Sequence, residues 1–104
     1  MKRTLEKIIT YAVRIAEPDE IILFGSMADN TMNEFSDVDL LIIGANLNDQ
    51  KNIIAKLRSF ANDMSLKIDI LIFSKDTFNV ELDKPNSFAA AVYRQGKLIY
   101  KKEP

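Results

Sequence analysis

The chain has 104 residues, 47% of them apolar, and a formal net charge of −1. That fits one small domain with a real core, residues 1–104, and excludes a disordered polyelectrolyte. It has no cysteine and no histidine, so disulfides, thiol nucleophiles, Ser-His systems and the usual zinc ligands are all excluded.

Other classes are disfavoured by pattern. No apolar run approaches the ~20 residues that span a membrane. The opening Met1-Lys2-Arg3-Thr4-Leu5-Glu6-Lys7 lacks the apolar centre of a signal peptide, so a cytoplasmic location is expected. Lysines and arginines are spread through the chain, and no direct nucleic-acid binding is expected. Any chemistry must come from carboxylates, cationic side chains, hydroxyls or a hard metal ion.

In chain order, Leu5, Ile8, Ile9, Ala12, Val13 and Ala16 recur at helical spacing and predict an amphipathic helix that stops before Pro18. Glu20 to Phe24 reads as a short buried strand, followed by Gly25-Ser26. Asp37 to Ile43 reads as a second strand, closed by Gly44. Ile53, Ile54, Leu57, Phe60, Ala61 and Met64 predict a second amphipathic helix, from about Asp49 to Met64. Lys67 to Phe73 is a third strand. Ser74 to Pro85 is weakly patterned. It is expected to be an ordinary loop packed on the sheet, with Phe78, Val80 and Leu82 as a candidate contact surface. Ser87 to Arg94 predicts a helix capped by Gly96, and Lys97 to Tyr100 a last strand. Lys75, Tyr93, Arg94 and Tyr100 read as surface or packing residues.

The second and third strands are joined by a helix, which predicts a parallel pair. Both begin near an aspartate, Asp39 and Asp69. For Gly25-Ser26 to meet those aspartates, the first strand must run antiparallel to the second. The result is a mixed sheet with Ser26, Asp37, Asp39 and Asp69 at one place.

Asp37 and Asp39, two apart on a strand, share a face, and Asp69 can join them. Two unit charges at ~4 Å repel by about 4 kcal/mol at an effective dielectric of 20, so a proton or a cation must offset the cluster. Hard oxygen ligands favour Mg²⁺, or Mn²⁺, together with substrate phosphates. Gly25 lets the backbone approach a ligand, and Ser26 offers a hydroxyl and backbone N–H groups to a phosphate. Taken singly, Gly-Ser is a common turn and Asp-x-Asp a common solvated strand start. Their joint spacing is what points to in-line nucleotidyl transfer. A receiver-type phospho-acceptor domain fits less well, because the paired aspartates open a strand instead of following one.

Gly25-Ser26, ten residues, Asp37-Val38-Asp39, and Asp69 on the next strand make this chain resemble the minimal nucleotidyltransferases of the DNA polymerase β-like superfamily. The closing Tyr93-Arg94-Gln95-Gly96-Lys97-Leu98-Ile99-Tyr100 resembles that family's usual ending. The resemblance implies an α+β, palm-like fold: a small mixed sheet with helices packed on one side. It implies Asp37 and Asp39 as metal ligands and Asp69 as a third ligand or a base for the acceptor hydroxyl. Gly25 and Ser26 would hold the triphosphate of a nucleoside triphosphate, expected to be ATP. Small members are commonly encoded beside a HEPN-domain protein and serve as its antitoxin, transferring AMP to a tyrosine or blocking it by binding. The implied partners are therefore a HEPN-domain toxin and ATP, in a homo- or hetero-oligomer. One departure favours the alternative of a catalytically inactive module that neutralises its partner by contact. Many members continue Gly-Ser-x-Ala with Arg-Gly, and here Asp29-Asn30 follows Met27-Ala28.

Overall fold

A computed structural model describes residues 2–25, 38–44 and 49–103. Their elements run α1 (Lys2–Ala16), β1 (Glu20–Phe24), β2 (Val38–Ile43), α2 (Gln50–Asp63), β3 (Ile68–Phe73), α3 (Lys75–Leu82), α4 (Phe88–Gln95) and β4 (Lys97–Lys101). The strands form one sheet in the order β3-β2-β1-β4. β2 and β3 are parallel, while β1 is antiparallel to both β2 and β4. This is the mixed arrangement expected from the positions of the aspartates, in an α+β fold.

The strands are apolar on both faces, and that decides the layering. Ile21, Leu23, Val38, Leu40, Ile42, Ile68 and Ile70 face α1 and α2, joining Ile8, Ala12, Ala16, Ile53, Leu57 and Ala61 in the main core. The alternate residues Ile22, Leu41 and Ile43 pack with Phe78 of α3 and with Ala89 and Val92 of α4. Helices therefore cover both faces of the sheet, where one covered side was expected. Exposing Ile22, Leu41 and Ile43 would forfeit roughly 1.5–3 kcal/mol each, so the second face needs a cover of its own.

Two further features bear on the site. Tyr11 of α1 stacks on Phe60 of α2, with ring centroids 4.6 Å apart, which fixes the two larger helices to each other. The weakly patterned stretch after β3 is a helix, not a loop. Ser74 caps α3 by accepting from the Thr77 backbone N–H at 3.1 Å, and Phe78 is buried. Val80 and Leu82 remain exposed, and Phe78 is not part of any open contact surface. Tyr93 is a packing residue, meeting Phe78 edge-on at 5.2 Å and donating its hydroxyl to Glu20 Oε1 at 3.3 Å.

Candidate functional site

β1 ends at Phe24, whose cross-strand partner is Asp39 on β2. Asp39 in turn is the parallel partner of Asp69 on β3. Partners in a ladder project to the same side of the sheet, and adjacent strands lie about 4.8 Å apart. The face is the one that carries Leu41 and Ile22, because Asp39 is two residues from Leu41 and opposite Phe24. Two carboxylates therefore stand side by side at one end of the sheet, Asp39 half-buried and Asp69 exposed.

Gly25 closes this end. Its φ is +76°, a left-handed conformation that costs an L side chain roughly 1–2 kcal/mol. Any Cβ there would also run into the Asp39 carboxylate, because the nearest atom to its position is Asp39 Oδ2 and the next is Asp39 Cγ at 3.3 Å. The turn and the carboxylate are thus in direct contact, and glycine is what allows it.

Of the five residues singled out from sequence, Gly25, Asp39 and Asp69 come together. Ser26 and Asp37 lie outside the described residues, as do Asp29 and Asn30. Among the described residues, no group of three or more carboxylate, histidine or cysteine side chains is placed to hold a metal ion. Asp37 stands two positions ahead of Asp39 in the sequence. The donor set nonetheless suits a hard divalent cation: it consists of carboxylate oxygens, and no ion pair between Asp69 and a lysine or arginine occurs among the described residues.

Two clefts open on the described surface. One, of about 600 Å³, lies at the β3 edge and is lined by Arg58, Ser59, Asn62, Lys67 and Asp69, among others. Arg58, from α2, and Lys67, just ahead of β3, share that lining with Asp69. Nothing in the sequence marked Arg58 or Lys67, because on a helix face and in a strand lead-in they read as solvated surface. The other, of about 530 Å³, lies between α1 and α2 and contains none of the site aspartates.

A carboxylate pair at the start of adjacent parallel strands thus abuts a glycine turn at the end of an antiparallel neighbour. Residues 6–104 match the family model described as polymerase beta, nucleotidyltransferase, and the chain belongs to that family. Among solved structures, a chain from the crystal structure of a toxin-antitoxin with AMP-PNP is similar to it. The identity is 21% and the TM-score 0.59, over 94% of this chain and 74% of that one. At that identity the likeness is one of fold. No curated protein sequence matches the chain. No helix among the described residues is long and apolar enough to cross a membrane.

Proposed function

We propose that this chain is a Mg²⁺-dependent nucleotidyltransferase that moves AMP from ATP to a hydroxyl acceptor, a tyrosine of a HEPN-domain toxin, and so acts as an antitoxin. The observation that carries the reading is the strand register that sets Asp39 beside Asp69 and against Gly25, in a chain that belongs to a nucleotidyltransferase family. The AMP-PNP and toxin-antitoxin setting of the similar solved chain supports ATP as donor and a toxin as partner.

Asp37, Asp39 and Asp69 would hold the cation. When bound, that ion supplies charge neutralisation and Lewis-acid polarisation of the phosphoryl oxygens. The chain's own residues do the rest. Gly25 allows the phosphates to approach the backbone closely, and Ser26 donates its hydroxyl to a phosphate oxygen. Asp69, the more exposed carboxylate, accepts the proton of the acceptor hydroxyl. The acceptor oxygen bonds to the α-phosphorus, the bond to the bridging oxygen breaks, and pyrophosphate leaves. Arg58 and Lys67 line the cleft at the β3 edge that Asp69 also lines, and would contact an acceptor segment that carries acidic groups.

The test is transfer of label from [α-³²P]ATP to a HEPN-domain protein co-expressed with this chain, with mass spectrometry to locate the modified residue. Label on a tyrosine, lost in the Asp37→Asn/Asp39→Asn double variant, is expected. Neutralisation of the partner without ATP and without modification would instead establish an occluding module.

A further inference from the structure

The face that carries Asp39 and Asp69 also carries an aromatic ring that the core does not use. Phe88, the first residue of α4, is 62% exposed, whereas Ala89, Ala90 and Val92 of the same helix are buried. A single exposed phenylalanine is ordinary on a protein surface. Its position is not. The Phe88 ring meets that of Phe24 edge to face, with centroids 6.2 Å apart and planes at 82°. Phe24 is the cross-strand partner of Asp39, which is the partner of Asp69. Phe88, Phe24, Asp39 and Asp69 thus form one row across α4, β1, β2 and β3.

We propose that Phe88 is the stacking platform for the base of the nucleotide substrate, held in place by Phe24. The inference rests on the reading of the carboxylates given under Proposed function. With the triphosphate held at Gly25 and, through the cation, at Asp39 and Asp69, the sugar and base must extend to one side. Toward β3 and the sheet edge lies a cleft of mixed character, with Arg58 and Lys67 beside Leu66 and Ile68 and no aromatic ring. Toward β1, one strand spacing of about 4.8 Å leads to Phe24, and one ring contact further lies Phe88. Of these two directions, among the described residues, the β1 side is the one that presents an exposed aromatic ring. Base-on-aromatic stacking contributes to affinity whichever base is present, because every base has a π-face. The platform therefore favours nucleotides over bare polyphosphate and discriminates little among the four bases. It also places the acceptor on the opposite, β3 side, away from the nucleoside.

The experiment is calorimetric titration of the intact chain with ATP and, separately, with inorganic tripolyphosphate, both with Mg²⁺. Wild type, Phe88→Ala and Phe88→Trp are compared. Phe88→Ala is expected to weaken ATP binding roughly five- to a hundredfold and to leave tripolyphosphate binding unchanged. Phe88→Trp is expected to restore ATP affinity. Because the chain has no tryptophan, its new indole fluorescence should respond to ATP and not to tripolyphosphate. Equal ATP affinity in wild type and Phe88→Ala would overturn the inference while leaving the carboxylate reading intact, and would point to a protein contact at this ring. A loss of both ligands in Phe88→Ala would overturn it too, as a sign of structural damage to the site. If wild type binds neither ligand, the carboxylate reading itself fails, and the platform with it.

Discussion

Replacing Gly25 by alanine separates the backbone role of this residue from its role in the site. The φ of +76° imposes a cost of roughly 1–2 kcal/mol on any L side chain. The added methyl would strike Asp39 Oδ2 first, with Asp39 Cγ at 3.3 Å and Cβ at 3.7 Å. The obstruction is the carboxylate end of a side chain that has an interaction of its own to lose, so the stability loss should be at least the backbone figure. For a domain of this size that is a Tm decrease of roughly 4–8 °C per kcal/mol. The carboxylate, however, must move, and Mg²⁺-dependent ATP binding should fall by tenfold or more. Gly44→Ala is the control. Its φ of +84° carries the same backbone penalty, and its methyl would meet the Asp19 carboxylate, with Asp19 Cγ at 2.7 Å and Cβ at 3.0 Å, at the opposite end of the strands from Asp39. It should destabilise at least as much and leave ATP binding unchanged. Urea unfolding and calorimetry on the two variants give both readouts. Wild-type ATP affinity in Gly25→Ala, or equal loss in both variants, would refute the contact between turn and carboxylate as a functional element.

Leu57, fully buried between α2 and the sheet, should cost about 2–5 kcal/mol on truncation to alanine, a large share of a small domain's stability, measurable by urea denaturation. Ser87 accepts from the Ala90 N–H at 2.9 Å and donates to the Glu81 carbonyl at 2.7 Å, so it both caps α4 and ties it to α3. Ser87→Ala should cost about 1 kcal/mol, with a Tm decrease to match. Burial first, and then the charge and hydrogen bond of Glu20, raise the Tyr93 phenol above its ordinary value of 10.0. The unfolded chain therefore loses this proton at lower pH than the folded one. Its contribution is complete below about pH 10 and is lost as pH rises through the raised value. Urea midpoints across that range should decline less steeply for Tyr93→Phe than for wild type.

Most of the architecture was legible because the signals were periodic. The 3.6-residue stripes of α1 and α2 and the short apolar runs of β1, β2 and β3 each had one sensible reading. The antiparallel setting of β1 followed from the need to bring Gly25 to Asp39. The layering was less legible, although its signal is in the strands: Ile22, Leu41 and Ile43 alternate with Ile21, Leu40 and Ile42, and strands apolar on both faces require cover on both. α3 was missed because an eight-residue helix with one buried side chain, Phe78, leaves almost no periodicity; Ser74, three residues before Thr77, was its only mark. At the site, Asp39 and Asp69 announced themselves as charges in apolar strands. Phe24 and Phe88 did not, since an aromatic in an apolar run reads as core until the register and the exposure are known.

The claim on which the account depends is that these carboxylates hold a divalent cation together with a nucleotide. Mn²⁺ binding followed by electron paramagnetic resonance, with and without ATP, tests it most directly. Wild type is expected to take up Mn²⁺ in the presence of ATP, and Asp39→Asn and Asp69→Asn each to weaken that uptake while remaining folded. Uptake by both variants equal to that of wild type would contradict it.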